Sequence, residues 1–290
     1  MGATTGGVTS IGGAELLIAS LLMLVAGFAS YRMKLGMAKD IVVSMVRLFL
    51  QLLALGFVLR WVFGNQTWWL VLLILLVMVA SATQIASTRV TKAPGGLKPA
   101  MFLSLFVTGL TMAFVVTGLI IRVKPWYGAR TVIPIAGMIL GNSMSAMAVA
   151  LDRLFADMDS RTDEILALTA LGATAREAAQ RSIRNSIRAG LIPTLASMAA
   201  AGVVFIPGMM TGQILAGADP LEAAKYQIVV LLMVSASTTA CNMLAVLLTY
   251  RRRFDVEGFF IEAGMRDPEE GTRRGLKPWF GKRSNSKASR

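Results

Sequence analysis

Seven apolar stretches, each about twenty residues long, leave this chain essentially one class of fold. They run over 11–31, 41–63, 67–87, 99–121, 131–151, 189–216 and 226–249. A helix needs ~20 apolar residues to cross a hydrocarbon layer, and within that layer each backbone N–H and C=O must be paired internally. The expected fold is all-α: a polytopic integral membrane protein with about seven transmembrane helices. A hydrophobic fraction of 55% and a mean hydropathy of +0.64 lie outside the range of soluble domains. Met1–Ser10 carries no Lys or Arg, so the basic start of a cleavable signal is missing and the first stretch reads as an uncleaved anchor.

Charge sets the orientation. With the N-terminus outside, the cytoplasmic segments collect Arg32, Lys34 and Lys39, then Arg89, Lys92 and Lys98, then the arginines at 153, 161, 176, 181, 184 and 188, then a basic C-terminal tail. The outer loops hold only Arg60, Arg122, Lys124, Arg130 and Lys225. Excess Lys and Arg marks the cytoplasmic side, which places the C-terminus there. The net charge of +13 is then topology plus contact with anionic membrane lipid. Nucleic acid is not an expected partner, because no basic cluster interleaves with aromatics on a soluble domain. The expected location is a bacterial inner (plasma) membrane.

The chain has no histidine and a single cysteine, Cys241, within the last stretch. This excludes internal disulfides, Ser-His-Asp catalysis and imidazole metal sites. The loops are too short for a soluble catalytic domain, so composition argues against a hydrolytic active site and no catalytic residues are expected. No cofactor is expected on the chain.

Polar residues inside the stretches are the candidates for a pathway. Arg47 and Gln51 lie one turn apart in the second, where Arg47 can snorkel or line a vestibule. The fifth carries Gly137, Gly141 and Ser145 at the spacing that lets helices approach, with Asn142 beside them. The sixth has Pro193 and Pro207, and Pro207–Gly208 is expected to kink or break it, because proline removes a backbone donor. Irregular backbone at membrane depth must be buried in protein or face water. Met209, Met210 and Gln213 follow that break as pathway candidates, with Asn142 and with Glu15, the acid within a stretch. Glu15, Met209 and Met210 are also the candidate metal ligands. Thioethers suit soft ions and carboxylates hard ones, although methionine commonly just fills gaps among helices.

The charged segment 152–188 has the clearest local pattern. Asp163 and Glu164 follow Thr162, which suits the first turn of a helix. Ile165, Leu168 and Leu171 then form an apolar face, Gly172 ends the helix, and Thr174-Ala175-Arg176-Glu177 reads as a capping box opening a second one. The segment LALTALGATAREAAQRSIRNSIRAGLIPTL resembles the coupling-helix region of ATP-binding cassette (ABC) permeases, in which a short helix docks into an ATPase. It departs from the importer motif in having Leu166-Ala167-Leu168 where Glu-Ala-Ala stands. The runs IPIAGMILGNSMSAMAVALDRL, ALGATAREAA and IPGMMTGQILAGADPLEAAKYQIVVLLM resemble permeases of the FetB/YbbM-like family, whose plant relatives include aluminium-sensitivity permeases.

The resemblance implies an exporter of iron or another metal ion, a homodimeric permease, and a separate ABC ATPase subunit in two copies carrying ATP and Mg. It also implies docking through Glu164, Ile165, Leu168, Leu171, Gly172, Ala173 and Thr174. The residues agree on one point: no GxxxxGK[ST] phosphate loop occurs in the chain. An organic solute such as a nucleotide sugar or a thiol is the alternative cargo. A self-powered secondary transporter is disfavoured, since Glu15 is the one acid available for coupling. The permease domain is expected over 1–250, with 251–290 a basic, poorly ordered cytoplasmic tail that touches the membrane near Phe259–Ile261 at most.

Overall fold

The computed structural model describes residues 12–34, 36, 38–64, 67–91, 94–120, 127–255 and 257–261, together with two short pairing segments at 4–5 and 8–9. Lys92, Arg122, Lys124 and the tail beyond 261 lie outside the described residues. The chain forms α1 (Gly13–Arg32), α2 (Ala38–Gly64), α3 (Trp68–Ser87), α4 (Leu97–Phe114, continued by a π-helical turn over Val115–Ile120) and α5 (Ala129–Ser160). Then follow α6 (Thr162–Ala170), α7 (Ala175–Ala200), α8 (Gly208–Leu215) and α9 (Pro220–Thr249), which ends in a 3-10 turn over Tyr250–Arg253.

Six of these helices, α1 to α5 and α9, are long and apolar enough to cross a membrane. The stretch at 189–216, expected as a seventh crossing that kinks or breaks at Pro207, is in two helical pieces. The first half of α7 carries Arg176, Glu177, Arg181, Arg184 and Arg188, so only its second half is apolar, and the helix stops at Ala200. The chain becomes helical again at Gly208, with Pro207 at the N-cap. Pro193 stays within α7, as Pro134 does within α5.

The bundle is built on α5, which packs against α3, α4, α7 and α9. Two clusters of buried side chains form along it. Met101, Leu105, Met147, Leu151 and Phe155 belong to one; Leu75, Ile135, Ile139, Val230 and Met233 belong to the other. Lipid tails are as apolar as these side chains, so in a membrane the helices are held by close packing and interhelical hydrogen bonds. The closest approach is at Gly190 of α7. A Cβ there would stand 2.7 Å from the Ala146 carbonyl oxygen and 2.9 Å from the Ala150 Cβ, and would collide with the Asn242 side-chain nitrogen. Further along α7, Pro193, Thr194 and Ser197 meet Asn142, Ser145 and Val149, and the Ser235 hydroxyl reaches the Met198 sulfur at 2.7 Å. Numbers rise along α7 as they fall along α5 and α9. Helix α7 is therefore antiparallel to both, and α5 and α9 run parallel.

Helices α1 and α2 form a hairpin that joins the bundle through the far end of α2. Val62 is buried there, and the Arg130 guanidinium lies 5.7 Å from the centre of the Phe63 ring. The rest of the hairpin exposes apolar side chains such as Leu17, Leu22, Leu50 and Phe57.

The fold runs past residue 250, where the sequence reading drew the boundary. Tyr250, Arg253, Phe254 and Phe260 are buried, and the rings of Tyr250, Phe254 and Phe260 join the cluster around Phe155 and Ile165. The expected surface contact near Phe259–Ile261 is thus a packed one at Phe260, while Phe259 is exposed.

The Gly190 contact makes a sharp prediction. Gly190→Ala overpacks a three-helix junction against a backbone carbonyl, a change that costs about 1–3 kcal/mol. Gly141, read from its spacing as a packing site, has nothing within 4 Å of a built Cβ, so Gly141→Ala leaves the fold unchanged. Thermal unfolding in detergent checks both: a lowered midpoint for Gly190→Ala beside a wild-type midpoint for Gly141→Ala.

Candidate functional site

The elbow between α5 and α7 is assembled by local signals that reinforce one another. The Thr162 hydroxyl donates to the Asp159 carbonyl at 2.9 Å as the chain leaves α5. Asp163 and Glu164 occupy the first turn of α6, where free N–H groups favour negative charge. Helix α6 ends at Gly172, whose φ of +91° is strained for any residue with a Cβ. The Ala173 N–H closes back on the Leu168 carbonyl at 3.0 Å, the signature of a Schellman turn. Helix α7 opens with the capping box: the Glu177 N–H donates to Thr174 Oγ1, and Glu177 Oε2 accepts from the Thr174 N–H at 2.8 Å. The Thr174 hydroxyl also donates to Glu177 Oε2, at 2.7 Å, and together with the Thr174 N–H it holds the Glu177 carboxyl below the usual carboxylate range.

Arg161 braces this elbow. Its Nε donates to Glu164 Oε2 at 2.8 Å and its Nη2 to the other carboxylate oxygen, a bidentate fork across the start of α6. Its Nη1 donates to Ser182 Oγ of α7 at 3.1 Å and lies 3.7 Å from Asp157 Oδ2 of α5. One guanidinium therefore ties three helices. The fork lowers the Glu164 carboxyl pKa and raises that of Arg161. Because the Glu164 value is depressed by folding, its contribution is present at neutral pH and is lost as pH falls through that lowered value.

The structure divides the residues expected to dock a partner. Ile165 is fully buried against the bundle and Leu168 is half-buried beside it, so both face inward. Glu164 is engaged by Arg161, and Ala173 and Thr174 form the turn and the cap. Leu171 is left standing at the tip, 85% exposed next to Gly172, with Leu166 partly exposed on the same short helix. Arg161, Asp159 and Ser182 escaped the sequence reading. The signal was available only as an arginine at a helix start within reach of several acids.

At the other end of α7 the chain leaves helical geometry over 201–206. The N–H groups of Val203 and Val204 turn back to the Ala200 carbonyl, at 3.2 and 2.8 Å, and the Gly202 N–H reaches the Phe205 carbonyl at 2.9 Å. Val203 and Val204 are 89% and 78% exposed. After the break, Met209 packs against the cluster around Val230 and Met233, Met210 is half-buried, and the buried Gln213 side-chain oxygen has no hydrogen-bond partner.

Between α5 and α7, just before the break, lies a cavity of about 120 Å³ lined by Asn142, Ser145, Thr194 and Ser197 with Ala146, Val149 and Pro193. Asn142 spends its amide N–H₂ on the Met138 carbonyl at 2.8 Å, which leaves its oxygen available. Elsewhere in α5 and α9, the Ser143, Ser237 and Thr238 hydroxyls and the Asn242 amide are buried without hydrogen-bond partners. Every one of these groups is neutral. Glu15 is exposed on the first turn of α1, which packs on α2, whereas Met209 and Met210 belong to α8, which packs on α9. The fold thus puts Glu15 on one helix pair and Met209 and Met210 on another. Among the described residues no three carboxylate or thiol side chains converge.

Comparison with known proteins agrees with this architecture. Residues 14–254 match the model of an uncharacterised protein family, UPF0014. The chain is 35% identical over 244 residues to the UPF0014 membrane protein YjkA of Bacillus subtilis, covering 83% of this chain and 95% of that protein. It is 36% identical over 249 residues to the probable iron export permease protein FetB of Escherichia coli, covering 83% and 92%. It is also 35% identical over 223 residues to the protein ALUMINUM SENSITIVE 3 of Arabidopsis thaliana, covering 77% and 80%. No solved structure matches the chain. A six-helix membrane scaffold, a braced elbow within the matched region and relatives of near-equal length together make this chain a member of the UPF0014 membrane protein family.

Proposed function

We propose that this chain is the membrane-spanning subunit of an ABC exporter in a bacterial inner membrane. It works as a homodimer, powered by two copies of a separate ATPase subunit that bind ATP and Mg, and its cargo is iron or another metal ion. The observation that carries this reading is the elbow. A nine-residue helix, α6, is closed at its C-terminal end by the Gly172 turn, braced at its start by Arg161, and followed by Leu171, which stands outward. A knob so exposed on a mount so rigid suits a groove on another protein. The name of the Escherichia coli relative supports metal export. Arg89, Lys98, Arg153, Arg176, Arg181, Arg184 and Arg188 gather at the elbow end, which supports a cytoplasmic elbow with the N-terminus outside.

In this mechanism ATP closes the two ATPase subunits on each other, and each draws an α6 with it. Arg161 passes the displacement to α7 through Ser182 and to α5 through Asp157. Helix α7 then moves against α5 and α9, and the crossing bends at Pro207–Gly208, where the helix is already open. The seam of Asn142, Ser145, Thr194 and Ser197 lies beside that bend and is the proposed cargo contact. Because these groups are neutral hydroxyls and an amide, a second reading has specific support: an organic solute crossing the same seam.

Two measurements test the proposal. Leu171→Asp places a charge on the docking knob and weakens binding of the ATPase subunit at least about ten-fold, the effect of losing ~1.4 kcal/mol at an interface. Unchanged binding in a correctly inserted variant removes the docking claim. Separately, ATP hydrolysis by the reconstituted complex is scanned against Fe(II), other divalent ions and organic solutes. Stimulation by a metal ion that falls in Glu15→Gln or in Met209→Ala/Met210→Ala supports metal export with those ligands. Stimulation by a metal ion that survives both changes assigns the metal to the neutral seam. Stimulation by an organic solute alone replaces the metal cargo.

A further inference from the structure

The segment that follows α9 was read from sequence as a loose tail, yet it is among the most tightly held parts of the cytoplasmic end. Arg253 is only 6% exposed. Its Nη2 lies 3.0 Å from Asp159 Oδ1, on the last turn of α5, and its guanidinium sits 5.7 Å from the centre of the Phe155 ring one turn earlier. Beyond it the chain doubles back: the Asp255 N–H donates to the Phe259 carbonyl and the Ile261 N–H to the Arg253 carbonyl, both at 2.8 Å. This brings Phe254 and Phe260 edge to face, with centroids 5.5 Å apart. Both rings pack in the cluster that also holds Ile165 of α6 and Ala178, Ala179 and Ile183 of α7. The neighbouring Arg252 donates to the Gly95 carbonyl in the turn before α4, at 3.3 Å.

We propose that residues 250–255 and 257–261 form a strap that fixes the elbow to α9, with Arg253 as the positioning residue that makes α5, α6 and α9 move as one body. Asp159 stands two residues before Arg161, so the strap grips the chain where it turns into α6. Arginine suits this position because its flat guanidinium can pair with a carboxylate at its edge while its face lies on a ring. A charge as buried as this is held in place by its carboxylate and ring partners, because leaving it unpaired away from water is costly. The strap therefore ties the end of α9 to the last turns of α5, from which α6 starts, alongside its contacts with α7. The part of this inference that concerns force from an ATPase rests on the docking proposed above. The part that concerns α6 itself does not.

The experiment uses full-length permease in lipid vesicles and follows amide hydrogen exchange in α6 and the start of α7. Arg253→Gln speeds exchange over Ile165–Ala173 about ten-fold or more, while α3 and the outer half of α5 stay at the wild-type rate. Arg253→Lys, which keeps the charge but not the flat face, falls between. Exchange in α6 within about two-fold of wild type, or faster exchange spread evenly over every helix, overturns the strap. If Arg253→Gln does not assemble, Arg253→Lys is read by the same standard. With the ATPase subunit added, Arg253→Gln keeps its binding while the ATP-driven signal of a label at Ala216, just after α8, drops at least about five-fold. If no ATPase subunit binds the wild-type permease, the docking reading fails and the strap is decided by exchange alone.

Discussion

The rest of this structure depends on one close contact, where the backbone of α7 at Gly190 meets the Ala146 carbonyl, Ala150 and Asn242. In a membrane there is no water to drive helices together, so a junction without side-chain spacers is what sets their relative height. That height has consequences at both ends of α7. With 1.5 Å of rise per residue the helix is about 39 Å long, and Gly190 falls between its charged half and its apolar half. The elbow lies on one side of the contact and the break at 201–206 on the other. A displacement at the elbow must therefore appear as a tilt beyond the contact, and the chain is least rigid where that tilt arrives.

A lever works only if its handle is stiff. Helix α6 has nine residues, far too few to persist by its own hydrogen bonds in water. Its stability comes from outside: Ile165 in the core, Arg161 across its first turn, and the Gly172 turn and Thr174 cap fixing where it ends. Each of these attachments is on the side of α6 that faces the bundle, which frees Leu171 on the other. The energy that positions the knob is thus kept separate from the knob itself.

The features legible in the sequence are those that need no partner helix to define them. Apolar length alone marks six crossings, and the Thr174–Glu177 box and Gly172 are local chemistry with a fixed spacing. Pro207 likewise marks the break. Contacts between distant residues were not legible. The spacing of Gly137, Gly141 and Ser145 suggested a tight helix interface, but α5 turns Gly141 toward open space and approaches α7 through Ala146 and Ala150. Ile165 looked like a docking residue because apolar periodicity cannot say which neighbour an apolar face meets. The stretch at 189–216 counted as a span on its apolar content, which does not show that the chain already leaves helical geometry at 201–206, ahead of Pro207. Basic composition hid Arg253 among Arg251 and Arg252, although only one of the three is buried.

The chemistry of the seam constrains the cargo more than any single ligand does. A bare divalent ion crossing a low-dielectric layer must exchange its water for charged or strongly dipolar ligands, because stripping it without replacement costs far more than a protein can supply. The seam between α5 and α7 provides hydroxyls, one amide oxygen and the backbone near Pro193, but no carboxylate. Such a wall is poor at replacing the first shell of a metal ion and good at accepting hydrogen bonds from a shell the ion already has. On the proposed reading the metal therefore crosses within its own ligands, as a hydrated ion or a small complex, and the protein recognises the outside of that complex. An organic solute with hydroxyl groups presents a similar outer surface. The two cargo readings thus meet at the same atoms, and they differ in what lies inside the shell that those atoms touch. Weak neutral contacts also suit an exporter, which must release its cargo on the far side in every cycle.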